Sequence, residues 1–465
     1  MSSATSRFVQ VRANNVASDQ TLSFRGGFPT VSFTIPAQQG ILDPRSIRIN
    51  GELMVFKQTV GGVPQPAYDG DANKITMDNR LGIYAMWDQL VIRHDKSKQI
   101  CENIQNYNRY MSQYLGLTSS VQDLTGHMNE SSLIQPNPDA MYFNVVSNGT
   151  DPIDAADPLR RPKQFSCYLP SGFLMSGQSI NLMESSFGGV TIELHLSPDN
   201  NCLFTETGVL TNRESAFYEL DKLSLTCEVH DVPSEEVSRL QSQTTGELEF
   251  NTITSLYTTI NSTNAQIQYS LGLRYLQSAF LNFVPADHIN NLAENGLALT
   301  QLSQSDSALV NVKQLQFLKG GVNYPADYTI NDVSQTTGNS AVTTAGGGGS
   351  FNVPDAQLAR MLAESVVPEA MVDKTSLSPA NLSRVYSLLA TGQTAGSYKR
   401  IKDGGPLYGL GVRMSQFNSG EDYSQEQFGV SLETDLTTDS PQGVYLYFKS
   451  KSKLVWGPSG VNLLQ

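Results

Sequence analysis

"GGVTIELHLSPD" (residues 188–199) and "FGVSLETDLTTD" (residues 428–439) are nearly the same strand written twice. Both carry Gly, Val, a Ser/Thr, a branched aliphatic and Glu in succession, then Leu, a second Ser/Thr and Asp. In the first copy Val190, Ile192, Leu194 and Leu196 alternate with Thr191, Glu193 and His195. That is the period of a strand with one buried face. One more alternating segment follows each copy, "LSLTCEVH" (223–230) after the first and "GVYLYFK" (443–449) after the second. The similarity recurs at the same place in the order of strands, so internal duplication is the preferred explanation.

Outward from these two strands, alternation dominates both halves. In the first half Val31, Phe33 and Ile35 alternate in "TVSFTIP" (30–36). Ile47, Ile49, Leu53 and Val55 keep one parity in "SIRINGELMVF" (46–56), with Gly51 as a bulge. "IYAMWDQLVIRH" (83–94), "KQFSCYL" (163–169) and "QSINLME" (178–184) complete the expected strands there. Ile100, Ile104, Tyr107, Met111 and Tyr114 recur at helical spacing. They place a helix at about 98–115, after the third or fourth strand, with Gly116 as its C-terminal cap. "VPSEEVSRLQSQTTGE" (232–247) reads as a short connecting helix, started by Pro233 and Ser234 with Glu235 and Glu236 in an acidic first turn. Then "FNTITSLYTTI" (250–260), "AQIQYSL" (265–271), "LRYLQSAFLNF" (273–283), "VKQLQFLKGGVNYPADYTI" (312–330) and "GLGVRM" (409–414) repeat the plan.

The expected fold is all-β: two tandem eight-stranded antiparallel sandwiches, residues 1–232 and 247–465, joined by a connector at 233–246. An insertion at about 331–395 interrupts the second. It holds the low-complexity run "SQTTGNSAVTTAGGGGSFN" (334–352) and two expected helices, 354–365 and 378–391.

Composition narrows the function. Of 465 residues, 39% are apolar and only 16% charged, with 37 Gly and 21 Pro, a turn-rich globular mix that suits short strands. The net charge of −13 comes without a dense basic stripe, which speaks against tight binding of duplex nucleic acid. The richest basic run, "KRIKD" (399–403), reads as a solvated loop. The start has no apolar signal-peptide core, and no run of about 18 apolar residues marks a membrane span. Cys101, Cys167, Cys202 and Cys227 are scattered without C-x-x-C spacing, as expected of free thiols in a reducing cytosol.

Catalytic constellations fail one by one. His94, His127, His195, His230 and His288 are far apart, belong to no metal-binding element and read as surface histidines. "DGDAN" (69–73) begins like a calcium loop, but Lys74 occupies the glycine position and Arg80 the closing acidic position. "AGGGGS" (345–350) lacks the lysine of a phosphate cradle, and "PSGFLMSG" (170–177) is no nucleophile elbow. Glu421 and Asp422 read as solvated loop charges, and the tyrosines of "QNYNRYMSQYL" (105–115) as core or interface packing. No catalytic, cofactor-binding or metal-binding residue is assigned, and no cofactor is expected.

The layout resembles one family, the double jelly-roll major capsid proteins of the adenovirus and PRD1 lineage, of the kind found in polinton-like viruses and virophages. The segments that carry the resemblance are "TVSFTIPAQQGILDPRSIRINGEL" (30–53), "YLPSGFLMSGQSINLMESSFGGVTIELHL" (168–196) and "FLKGGVNYPADYTI" (317–330). It implies that each sandwich is a jelly roll. It also implies a structural, non-enzymatic subunit that homotrimerises into pseudo-hexameric capsomers tiling an icosahedral DNA-virus shell. Implied partners are further copies of the chain, neighbouring capsomers, and penton and minor capsid proteins. The implied location is the virion, after synthesis in the host cytosol. Because no basic arm is present, other proteins or an internal membrane are expected to line the genome. The N-terminal fifteen or so residues are expected on the inner side, making lattice contacts, and loops 118–157 and 334–352 on the outside or between neighbours. The competing expectations are a viral or cellular carbohydrate- or receptor-binding β-sandwich, and a glycan-processing enzyme on such a scaffold.

Overall fold

The computed structural model describes residues 5–17, 20–27, 29–38, 40–58, 62–66, 75–78, 81–118, 131–134, 162–184, 187–205, 215–297, 312–324, 329–331, 342–343, 350–351, 410–414, 420–434, 441–458 and 460–465. In the first half the strands are β1 (Ser6–Arg12), β2 (Thr30–Pro36), β3 (Ile41–Gln58), β4 (Gln65–Pro66), β5 (Ile75–Met77), β6 (Trp87–His94) and β7 (Ile100–Gln105). Helix α1 (Tyr107–Thr118) follows, then β8 (Lys163–Tyr168), β9 (Ile180–Asn181), β10 (Gly189–Leu196), a four-residue helix α2 (Asp199–Cys202), β11 (Leu203–Thr205) and β12 (Ser215–His230). A connecting helix α3 (Ser234–Gln241) leads to β13 (Gly246–Ile260), β14 (Asn264–Ser270), β15 (Leu276–Pro285), β16 (Val312–Lys319), β17 (Val322–Asn323) and β18 (Thr329–Asn331). The remaining strands are β19 (Val342–Thr343), β20 (Ser350–Phe351), β21 (Leu410–Arg413), β22 (Gln427–Thr434), β23 (Gln442–Gly457) and β24 (Gly460–Leu464).

Pairing shows the duplication directly. In the first half one sheet runs β1-β12-β3-β8 and the facing one β2-β10-β6-β7. In the second the orders are β13-β23-β15-β21 and β14-β22-β16-β18. Replacing each strand of the first half by its counterpart in the second reproduces both sheets. The two copies of the repeated stretch are β10 and β22, each second in its sheet. Val190 lies between Ile35 and His94, and Val430 between Ile267 and Phe317. Both valines are fully buried, and each removes enough apolar surface from water to contribute roughly 1.5–3 kcal/mol.

Inside the first sandwich, Ile49, Leu225, Cys227 and Val229 of one sheet meet Phe33, Ile92 and Ile192 of the other in one continuous core. The register of β3 and β12 shifts between Asp221 and Ser224, so Lys222 and Leu223 bulge opposite Gly51. A Cβ on Gly51 would lie 2.6 Å from Leu223 and 2.8 Å from Phe165. The expected bulge is therefore present, with the extra residue on the partner strand. Gly320 and Gly321 form the expected turn after β16, both with positive φ. Helix α3 has no buried residue, only Val237 and Leu240 being half-buried, and begins after Pro233 with Glu235 and Glu236 in its first turn.

Several expectations are corrected. The helix at about 98–115 is in fact strand β7 followed by α1. Cys101, Glu102 and Ile104 are buried while Ile100 is exposed, because residues 100–105 pair with β6. The i, i+4 spacing of Ile100 and Ile104 fits either period, and Asn106, at φ 52, separates the two elements. The helix runs through Gly116 to Thr118 instead of ending there. It follows β7, a later point in the strand order than expected. Residues 6–12 form a strand that the alternation pattern does not mark, pairing along β12 at the edge of the sheet. Residues 82–86 form a 3₁₀ turn before β6, and only Ile180–Asn181 of "QSINLME" pairs. The two expected insertion helices and the loops 69–73 and 345–349 lie outside the described residues, as does most of loop 118–157.

Candidate assembly site: the joint between the two sandwiches

The sandwiches are joined through backbone. β7 lies parallel to β13, pairing Asn103 with Thr254, and this links β2-β10-β6-β7 and β13-β23-β15-β21 into one sheet, nine-stranded with β24 paired on β23. On either side of that pair, side chains take over from the ladder. Ser255 Oγ accepts the Gln105 N–H at 2.7 Å, and Glu102 Oε1 accepts the Ile253 N–H at 2.7 Å.

Glu102 is the focus of this clamp. Its carboxylate also accepts the N–H groups of Gly172, at 3.0 Å, and Phe173, at 2.9 Å, from the turn after β8. It is buried, with no ion-pair partner among the described residues. Burial dominates and pushes its pKa up to about 7, against the pull of the N–H donors and Ser171. Gly172 is required here, since a Cβ would sit 2.6 Å from the Asn251 carbonyl oxygen across the joint. Beside it, Phe173 meets Phe250 edge-on with centroids 4.8 Å apart, and Phe187 meets Trp456 at 5.0 Å.

Helix α1 fills the rest of the joint. The Asn106 carbonyl accepts the N–H groups of Arg109 and Tyr110, starting the helix, and also the Tyr447 hydroxyl at 3.0 Å, tethering β23. Every α1 side chain from Tyr107 to Leu115 is buried, so the helix is covered all round rather than amphipathic. Tyr107 donates to the Pro170 carbonyl in the first sandwich, while Tyr110 packs on Tyr447 and Phe280 in the second. The Asn282 amide donates to Gln113 Oε1 at 3.0 Å.

Arg109, 1% exposed, reaches three parts of the chain. It donates to Asn201 Oδ1 at 2.8 Å and to the Gly296 carbonyl at 3.2 Å, and stacks 4.7 Å over the Tyr445 ring. Asp88 stands nearby: burial raises its pKa, opposed by the field of Arg109 and His195. Burial likewise pushes Asp199 up to about 6. This arrangement is suited to holding two bodies at a fixed angle; it presents no nucleophile with a base to activate it.

The residues weighed from the sequence mostly lie elsewhere. His94, expected at the surface, is 1% exposed, with Nδ1 2.8 Å from Ser97 Oγ and its ring edge-on to Phe187. It caps its own turn inside the fold. His195 contacts Thr30 at 3.3 Å, and His288 lies 3.9 Å from Glu294. All four cysteines are free and buried. Glu421 pairs with Lys319 at 3.2 Å, and Asp422 accepts the Ser424 N–H. "PSGFLMSG" has another use: its Ser171, Gly172 and Phe173 surround Glu102. The tyrosine run of α1 is packing, as read. Glu102 and Arg109, which the sequence reading did not single out, have a signal in the sequence: a carboxylate in an apolar strand and a cation in a tyrosine-rich helix.

No family model matches the sequence, and no curated protein matches it. Solved structures do. A chain of the PBCV-1 virus capsid matches at 11% identity over 100% of this chain and 97% of its own, with a TM-score of 0.53. The fold is the double jelly roll. A chain of the Sputnik virophage matches at 8% identity, covering 99% of this chain and 88% of its own, with a TM-score of 0.53. The Faustovirus major capsid protein matches at 10% identity, 98% and 91% coverage and a TM-score of 0.50. The double jelly roll thus spans the whole chain, and no helix among the described residues is long and apolar enough to cross a membrane.

Proposed function

We propose that this double jelly-roll chain is a major capsid protein: three copies close into a pseudo-hexameric capsomer that tiles an icosahedral DNA-virus shell. The observation that carries the reading is the asymmetric contact between two like sandwiches in one chain. The edge strand β7 and helix α1 of the first dock on the β13-β23-β15 sheet of the second. A contact between unlike surfaces of like bodies is heterologous, and repeating it either closes a ring or runs on as a filament. Three copies of two like bodies provide the six sides of a closed ring. In this reading the protein acts by assembly rather than catalysis, and its place is the virion. Its partners are other copies of itself, penton and minor capsid proteins, with other proteins or an internal membrane next to the genome.

Light scattering and negative-stain imaging of recombinant protein test this. The expected result is a squat, six-sided trimer. A monomer that binds glycans on an array and never assembles overturns it in favour of a receptor-binding sandwich.

A further inference from the structure

The duplication makes the two sheets β1-β12-β3-β8 and β13-β23-β15-β21 equivalent, yet α1 covers the outer face of the second, while that of the first is covered at the end of β3 and β12 that carries the buried Met54, Phe56 and Phe217 and is open towards β1 and β8. On the second, Tyr447, Tyr445 and Phe280 are at most 3% exposed beneath α1. On the first, the outward residues Gln10, Arg12 and Arg48 are exposed, and Asn50, Thr226 and Tyr168 are half-buried. That open face is hydrophilic and internally bonded. Asn50 donates to Thr226 at 2.8 Å, Gln10 to Ser224 at 3.1 Å, and Lys222 to Glu52 at 3.0 Å, while the Arg48 guanidinium lies 4.2 Å over the Tyr168 ring. In its open part an exposed apolar side chain interrupts it: Phe8, on the edge strand β1, is 76% exposed, whereas Met54, Phe56 and Phe217 on the same face are buried.

We infer that the outer face of β1-β12-β3-β8 is the joint between copies, with Phe8 as its apolar anchor. The occupant is a second copy of this chain, presenting the β16-β18 edge of its second sandwich. This inference rests on the proposed ring. Within the chain, the β6-β7 edge of one sandwich meets the β13-β23-β15 face of the next. Carried one step further around, the equivalent β16-β18 edge meets the β1-β12-β3 face of a neighbour. The difference in chemistry follows from the difference in history. The covered face is never free of its partner, since both belong to one polypeptide, so it is apolar like a domain core. The open face stands in water before assembly, so it is polar, with a single exposed aromatic of the type that dominates binding in such patches.

The test uses the full-length protein with Phe8→Asp and Arg48→Glu made separately, and Glu235→Lys on the exposed helix α3 as control. Native mass spectrometry gives the monomer–trimer ratio, and circular dichroism checks the fold. Each face variant is expected to raise the midpoint concentration for trimer formation at least tenfold with an unchanged melting temperature of the monomer, measured at a concentration below trimer formation, while the control assembles as wild type. In the wild type, amide exchange in residues 5–12 and 163–168 is expected to slow on trimer formation. Variants that trimerise normally, or a control that fails equally, overturn the inference and leave the ring intact. A wild type that never trimerises sinks the proposed function itself.

Discussion

Replacing Glu102 by Gln separates the charge of the inter-sandwich clamp from its shape. The carboxyl sits among N–H donors from Gly172, Phe173 and Ile253, but without a cation. Its pKa rises from an ordinary 4.5 to about 7, with burial as the first cause. A group raised in this way favours folding most in its protonated form. Its contribution is complete below pH 4.5 and is lost as pH climbs through 7. At about 1.4 kcal/mol per pH unit, the loss by pH 8 is on the order of 3 kcal/mol. Glu102→Gln is neutral at all pH and nearly isosteric, so it carries none of that dependence. It does turn its amide towards the Phe173 N–H, at a fixed cost of about 1–3 kcal/mol. The measurement is urea unfolding of wild type and variant at pH 5 and pH 8, at one protein concentration because assembly shifts apparent stability. Since part of the contribution is already lost at pH 5, the variant is expected to gain about 2.5 kcal/mol relative to wild type between the two pH values. A difference that stays flat across that range refutes the reasoning: the N–H donors would then hold Glu102 ionised throughout.

Other substitutions probe the same joint. Arg109→Ala empties a fully buried site and removes the donor to Asn201 and Gly296, an expected loss of about 3 kcal/mol or more in urea unfolding; Arg109→Met, which keeps the volume, restores part of it. Gly172→Ala forces its methyl against the Asn251 carbonyl and is expected to cost about 1–3 kcal/mol, read as a lower melting temperature. The thiols are expected to resist iodoacetamide in the native protein at pH 8 and all to react in denaturant, since burial pushes Cys101 and Cys167 up to about 12. Labelling of the native protein at the rate of a free thiol contradicts that burial.

The sandwiches were readable because their strands have one wet face and one dry face. Val190, Ile192 and Leu194 against Glu193 and His195 is such a case, and so is its copy around Val430 and Leu432. The joint was not readable, because there the rule fails. Along β23, Val444, Leu446 and Phe448 alternate with Tyr445 and Tyr447, which suggested a half-exposed strand; all five are buried, as α1 covers the tyrosine side. Strand β1 has little pattern to read because it is an edge, with only Val9 and Val11 packed on the core. Ile100 and Ile104 satisfied two periods at once, and only the pairing of residues 100–105 with β6 decides between them. Glu102 and Arg109 find their partners far away in sequence, in residues that no local pattern connects to them.

Among the described residues the strand ladder between the halves is the single pair Asn103–Thr254, and one further backbone bond joins them, from the Thr205 N–H to the Leu292 carbonyl. Where so little ladder joins two plates, their angle is set largely by what is wedged beside it. Here the wedge is made of rings, Tyr110 against Phe280 and Tyr447 on one flank and Phe173 against Phe250 on the other. A methylene gained or lost in either wedge therefore turns into tilt, magnified along the height of the molecule. Side-chain volume at this joint is where a sequence can tune the curvature of anything built from it.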